Sequence, residues 1–241
     1  ALMRTTVAPT ILAAGIKEVV SIPVFATGRI NDPVLAEKIL ANGQADMIGM
    51  VRAQICDPNM AQKAKKGRLE EIRYCVADNQ NCYGRVGLNM PIGCIQNPFI
   101  GNEKNEDELH LPKTRFKKRV MVVGGGPAGM WAAKIAAMRG HEVTLYEQED
   151  TLGGQVNIAM KGAGREEFGA IIRNERNQLQ ALGVPVVLGK RVTPEFVLEK
   201  APDAVIIATG SAPKACPVSG ADGPGVFNVW QVLKGEADLG E

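Results

Sequence analysis

The sequence predicts an α/β chain in which two stretches of alternating strands and helices flank a cysteine-bearing loop region. Three observations carry this. Residues 1–70 alternate helical apolar spacing with short runs of β-formers. Residues 71–112 lose that periodicity and hold Cys75, Cys82 and Cys94, with Asp78 between the first two. Beyond residue 115 a run of β-formers ends on Gly124-Gly125-Gly126-Pro127-Ala128-Gly129, and a helical pattern follows at once.

The elements follow in order. Ile11 to Val20 has helical spacing, and Ile22 to Thr27 is a short buried strand. Asp32 is placed to cap a helix and Pro33 to occupy its first turn, with Asn42-Gly43 as the stop. Asp46 to Met50 is the next strand, and Asp57-Pro58 opens a helix that runs to Lys66-Gly67. This is a βαβα run of parallel-sheet character. The charged stretch 101–114 reads as an exposed connector. Then come a strand at Arg119–Val123, a helix from Gly126 to Arg139 ended by Gly140, and a strand from His141 to Tyr146. Glu166 to Leu182 reads as a helix, and Val184–Leu188 and Ala204–Ala208 as further strands.

Composition narrows the function classes. The 241 residues are 45% hydrophobic, enough for a core, and the formal net charge is +2. Nothing in that balance argues for nucleic acid or an anionic membrane surface as partner. No apolar run approaches the roughly 18 residues of a spanning helix. An odd count of five cysteines without a secretory h-region fits a reducing, cytoplasmic setting. The first residue is Ala rather than Met, and the chain reads as a piece of something longer.

The glycine motif has the context that gives it meaning: a strand before, a helix after, and an acidic residue, Glu147, closing the next strand. Gly124 permits the tight turn, Gly126 lets a pyrophosphate approach the backbone, and Gly129 allows close helix–strand packing. The helix start, with Ala128 in its first turn, favours negative charge. Glu147 suits a ribose diol. Gly153, Gly154 and Gln155 follow shortly after, and Thr209-Gly210 ends a later strand. These residues predict a dinucleotide site, for FAD or NAD.

Three thiolates and a carboxylate on a loop are the donor set of an iron–sulfur cluster. Free buried cysteines with a capping Asp, or a zinc ion, are the other readings of the same residues. Cys56 and Cys216 fall outside the pattern and read as small apolar packing residues. His110 and His141 have no partner pattern, and Trp131 and Trp230 read as packing residues.

The glycine motif, Gly153-Gly154 and Thr209-Gly210 together resemble the flavoproteins with two dinucleotide-binding domains. Cys75-x2-Asp78-x3-Cys82-x11-Cys94, followed by Ile-Gln-Asn-Pro, resembles the cluster loop of the NADH:flavin oxidoreductase, 2,4-dienoyl-CoA reductase and trimethylamine dehydrogenase family, C-x2-C-x2/3-C-x11-C. Pro23 to Arg29 and Asp46 to Arg52 resemble the seventh and eighth strands of its TIM barrel. The resemblance implies three parts: 1–70 as the last two βα units of an FMN-binding barrel, 71–114 as cluster loop and linker, and 115–241 as an incomplete FAD- or ADP-binding Rossmann-like domain. It implies that Gly28, Arg29, Gly49, Val51 and Arg52 hold the FMN phosphate, and that Cys75, Asp78, Cys82 and Cys94 hold a [4Fe-4S] cluster. Two departures stand out. Asp78 replaces the second cysteine, so an oxygen ligand, a three-iron form and no cluster are all open; Val51 stands where the family often has Gly.

The function implied is electron passage between a barrel FMN, the cluster and an FAD or NAD(P)H site. The substrate would be an enoyl thioester or a methylated amine, with an electron-transfer flavoprotein as a further partner. The alternative is a non-redox ADP-binding module or an inactive fragment. The catalytic side chains of the family lie in barrel strands that this sequence does not contain.

Overall fold

In the computed structural model, residues 8–104 and 110–237 are described. The two chain ends and residues 105–109 of the expected connector lie outside them. The chain divides into two compact units, Ala1–His110 and Leu111–Glu241.

The first unit opens with helix α1 (Ala8–Lys17), strand β1 (Phe25–Thr27) and helix α2 (Pro33–Ala41). Asp32 caps α2 as expected, its carboxylate accepting the N–H of Val34 at 2.8 Å, with Pro33 in the first turn. Strand β2 (Met47–Gly49) lies parallel to β1, with Thr27 opposite Gly49. A Cβ on Gly49 would come 3.2 Å from Thr27 Cβ, so the two strand ends close tightly. The core between them is Ala13, Val24, Ala26, Ile30, Ala36, Ile39 and Ala45.

Two helices follow where one was expected. Helix α3 (Val51–Cys56) begins directly after β2, and helix α4 (Met60–Lys65) begins beyond Asp57-Pro58. Asp57 is not the opening cap of α4. Its buried carboxylate instead gathers Asn59 N–H at 3.0 Å, Lys63 Nζ at 2.7 Å and Arg73 N–H at 2.9 Å. The cysteine region has one short helix, α5 (Tyr83–Val86), and otherwise irregular backbone.

The second unit is a four-stranded parallel sheet. Strand β3 (Arg119–Val123) leads through helix α6 (Pro127–Met138) to strand β4 (Glu142–Tyr146). Helices α7 (Val156–Ala159) and α8 (Gly169–Ala181) precede strand β5 (Val186–Val187). Helix α9 (Pro194–Lys200), strand β6 (Ala204–Ile207) and helix α10 (Val229–Lys234) complete it. The sheet order is β5-β4-β3-β6. Its core joins Val120, Val122, Val143 and Leu145 to Met130, Ala133 and Leu179 from α6 and α8. The chain crosses from β3 to β4 on one side and reaches β6 on the other, so the order reverses beside β3. In open parallel sheets ligands bind at the carboxyl ends of the strands at such a point.

Candidate functional site

The carboxyl ends of β3, β4 and β6 bring the expected dinucleotide residues together. Gly124 has φ of 108°, and a Cβ there would overlap the carbonyl of Ala208, just after β6. A Cβ on Gly129 would overlap the carbonyl of Gly124, so α6 starts hard against the turn. Gly126, by contrast, faces open space: nothing stands within 4 Å of an added Cβ. The turn is thus closed where packing needs it and open where a pyrophosphate would approach.

Glu147, buried just past β4, accepts Gly125 N–H at 2.5 Å and Glu149 N–H at 2.9 Å. Gly153 N–H donates to Gly125 carbonyl at 2.9 Å, which draws the Gly153-Gly154-Gln155 segment onto the same turn. Gln155 Nε2 donates to Ser211 carbonyl and Oγ, both at 3.0 Å, and ties that segment to the loop holding Thr209 and Gly210. Ala128 lies in the first turn of α6, beside Gly129. The spacing motif foresaw the turn and Glu147; the Gln155–Ser211 link joins residues too far apart in sequence for any local pattern to show.

In the first unit, a cleft of about 150 Å³ opens where β1 and β2 end. Gly28, Arg29, Gly49, Val51 and Arg52 all line it, together with Thr27, Asn31, Cys75 and Ala77. The side chain of Val51, in the first turn of α3, is largely exposed, so its Cβ does not close the cleft. Arg29 is held at φ of 54°, a left-handed position uncommon for a residue other than glycine. Asn31 Nδ2 donates to Cys75 carbonyl at 2.7 Å, and Arg52 donates to Asn79 Oδ1. The cleft and the cysteine loop therefore share a wall.

That loop docks on the end of α3. The last carbonyls of a helix have no partner within it. Here Ile55 carbonyl accepts Asn97 Nδ2 at 2.9 Å and Cys56 carbonyl accepts Arg73 Nε at 2.8 Å. Three of the four expected metal ligands repeat one local turn. Cys75 Sγ accepts Ala77 N–H at 3.4 Å, Cys94 Sγ accepts Gln96 N–H at 3.4 Å, and Asp78 Oδ2 accepts Gln80 N–H at 3.0 Å. Asp78 thus copies with oxygen the turn the thiols make with sulfur. Burial pushes the Cys75 thiol up, against the Ala77 N–H and the Arg52 cation, which draw it down.

The set does not close on a point. Among the described residues no three His, Cys, Asp or Glu side chains stand where they could hold one metal ion. This goes against the zinc reading. It also differs from the expectation of four side chains converging on a centre: the Asp78 carboxylate is engaged by its own turn, and Cys82 stands at the start of α5. A four-iron cluster takes one thiolate per iron, so its ligands stand further apart than those of a single ion.

Cys56 is completely buried, as a packing residue is expected to be, and its Sγ also accepts Gln96 Nε2 at 3.4 Å. The Cys56 thiol draws the Cys94 thiol down to about 6, and Cys94 pushes Cys56 up, burial adding to the rise. Cys216 is exposed and so is not a packing residue.

Comparison with known proteins agrees with this division. Residues 5–71 match the model of the NADH:flavin oxidoreductase / NADH oxidase family, and residues 118–236 that of the pyridine nucleotide-disulphide oxidoreductases. A Thermoanaerobacter brockii NADH oxidase is 43% identical over 231 residues, 95% of this chain and 35% of that protein. An N,N-dimethylglycine/sarcosine dehydrogenase from Chromohalobacter salexigens is 38% identical over 237 residues, 95% of this chain and 34% of that protein. The structure of a 2-naphthoyl-CoA reductase in complex with 2-naphthoyl-CoA superposes with a TM-score of 0.90 at 35% identity, covering 97% of this chain and 35% of that one. The chain thus spans about a third of the length of the relatives it matches. No helix among the described residues is long and apolar enough to cross a membrane. The chain thus matches in order the two parts of the two-domain flavin oxidoreductases, an FMN-binding barrel-type domain over residues 5–71 and a pyridine-nucleotide/FAD Rossmann domain over residues 118–236.

Proposed function

We propose that this chain is the electron-transfer segment of a flavin- and NAD(P)H-dependent oxidoreductase whose substrate is an α,β-unsaturated thioester or a methylated amine. The observation that carries the reading is the wall shared by the β1–β2 cleft and the cysteine loop. Cys75 lines the cleft that Arg29 and Arg52 also line, so a cofactor phosphate held there lies beside the first thiol. The substrate classes rest on similarity to the naphthoyl-CoA reductase and the dimethylglycine/sarcosine dehydrogenase.

The chain's own residues divide the work. Arg29 and Arg52 supply two cations for a flavin phosphate, with Gly28 and Gly49 keeping the backbone close. Gly124, Gly126 and Gly129 shape the turn for the pyrophosphate of FAD, with Ala128 in the adjoining helical turn. Glu147 takes its ribose, and Gly153, Gly154, Gln155, Thr209 and Gly210 frame it. Cys75, Cys82 and Cys94 are the thiolates of a [4Fe-4S]-type cluster, with Asp78 at the fourth corner. The repeated turn favours this, because each N–H aimed at a sulfur or carboxylate oxygen stabilises the negative form that binds iron. When bound, the cofactors supply the redox chemistry; the protein holds them and sets their potentials.

Anaerobic purification of the full-length protein, with flavin, iron and acid-labile sulfide measured per chain, tests this. Two flavins with about four irons and sulfides, or three irons in the reduced-ligand form, are expected. Flavin without iron overturns the cluster, and absence of flavin overturns the whole reading.

A further inference from the structure

Arg52 lines the β1–β2 cleft, and its guanidinium donates to Oδ1 of Asn79, which reaches it from the cysteine loop. We propose that Asn79 is a positioning residue for a flavin phosphate: it holds Arg52 at the cleft, so that the cysteine loop completes the phosphate site. This rests on the reading of the cleft as the flavin phosphate site and requires no iron in the loop.

The cleft suits a phosphate. Its charged lining residues, Arg29 and Arg52, are both cations, the match for a dianion. Gly28 and Gly49 also line it. Gly28 has φ of 123°, and a Cβ on Gly49 would stand 3.2 Å from Thr27 Cβ, so backbone forms that part of the wall.

The bond to Asn79 leaves Arg52 fit for this task. A guanidinium only donates, so the Asn79 amide must present its oxygen. One of several N–H donors is used, which leaves others for the bidentate grip of a phosphate. The acceptor is neutral, so Arg52 keeps its full charge for the ligand; a carboxylate in the same place would compete with the phosphate. A long arginine side chain loses rotamer freedom on binding, and one ordered beforehand loses less.

Asn79 is itself held. Its backbone is left-handed, φ of 63°, a conformation that asparagine adopts more readily than most residues. Its carbonyl accepts Gly84 N–H at 2.9 Å, and the Asp78 carboxylate before it accepts Gln80 N–H at 3.0 Å. Asn31 Nδ2 ties the start of the same segment to the cleft through Cys75 carbonyl at 2.7 Å. Asn79 and Arg52 are both half-buried, which shields their bond from water. Asn79 does not line the cleft, so its effect on a ligand passes through Arg52.

The test uses the full-length protein, stripped of flavin and reloaded with FAD, as wild type, Asn79→Gly and Asn79→Asp. Both substitutions suit a left-handed backbone. FMN is titrated by its fluorescence, and so is riboflavin, which carries the same ring and ribityl chain without the phosphate. Asn79→Gly is expected to bind FMN about tenfold more weakly, the scale of one hydrogen bond to a charged group, and to bind riboflavin as wild type does. Asn79→Asp is expected to lose more FMN affinity than Asn79→Gly, again with riboflavin unchanged. FMN affinity that is unchanged or tighter in either variant overturns the proposal. So does a loss shared equally by FMN and riboflavin, which marks a merely structural role. Should one variant fail to fold, the ratio of FMN to riboflavin affinity in the other decides. A wild type that binds neither flavin overturns the flavin reading of the cleft, and one that binds both equally overturns its phosphate reading; both results are separate from every outcome with the variants.

Discussion

Glu147 Oε2 accepts the N–H of Gly125 at 2.5 Å, so a carboxylate at the end of one strand holds the turn at the end of its neighbour. The same side chain takes Glu149 N–H at 2.9 Å. One of the two donors, Gly125 N–H, is buried; Glu149 is exposed. Leaving a buried donor unsatisfied costs about 1–3 kcal/mol. Glu147→Ala is therefore expected to weaken FAD binding by about tenfold or more, at about 1.4 kcal/mol per decade. Fluorescence titration of the apoprotein with FAD measures this, and an unchanged affinity would remove Glu147 from the site.

Gly126 and Gly129 separate binding from folding. An added methyl at Gly126 meets nothing within 4 Å, whereas one at Gly129 overlaps Gly124 carbonyl. Gly126→Ala is expected to keep the melting temperature of the apoprotein and lose dinucleotide affinity. Gly129→Ala is expected to destabilise the apoprotein by about 1–3 kcal/mol, the usual cost of overpacking. Calorimetry and FAD titration of both variants check the pair; equal melting losses would mean that Gly126 is not the open position.

What the sequence shows depends on how local the cause is. The bounds of β3 are read correctly at Arg119 and Val123, because a five-residue run with three valines ends on a glycine turn. The Asp32–Pro33 start of α2 is equally plain, since cap and first turn are neighbours. Helix α3 is missed: six residues are too few for a period, and Met50 before it makes no side-chain cap bond. Its end is held by Arg73 and Asn97, residues that reach it only through the fold. Cys56 is buried as its small apolar character suggests, while the Gln96 amide that donates to its sulfur, forty residues away, could not be read from any local pattern.

Asp57 joins α4 to the strand-like segment that enters the cysteine loop. It is buried and pairs with Lys63 Nζ at 2.7 Å, while Lys63 also donates to Glu71 carbonyl at 2.9 Å. Removing one partner of a buried pair costs about 3–5 kcal/mol, because the other charge is left without compensation. Asp57→Ala is expected to lose that much in urea unfolding of the first unit. A loss under about 1 kcal/mol, the range of an exposed pair, would show that water replaces the carboxylate.

Asp46 gives a pH signature. Its hydrogen bond with Lys17 at 2.5 Å, then Val24 N–H at 2.8 Å, holds its carboxyl below the usual value of 3.8. A lowered folded-state value means that the stabilisation is fully present above the unfolded value and is lost as pH falls through the folded one. Asp46→Asn is expected to melt below wild type at pH 7, with the two curves converging as the pH drops under 3.8. A gap that persists in acid would place the effect in packing rather than charge.

Asp78 is the residue by which this loop departs from a four-thiolate pattern. Its carboxylate accepts Gln80 N–H at 3.0 Å, as Cys75 and Cys94 accept the N–H two residues on. A thiolate at that position would enter the same turn, because Ala77 and Asn79 on either side already hold left-handed backbone, φ 53° and 63°, that sets its direction. Oxygen is a harder donor than sulfur and binds cluster iron less firmly. If the cluster proposed above is bound, its iron at that corner is expected to leave first in air, giving a three-iron EPR signal. Asp78→Cys is expected to retain iron longer under the same exposure and to suppress that signal. Iron retention and EPR lineshape identical to wild type would show that position 78 does not touch the cluster.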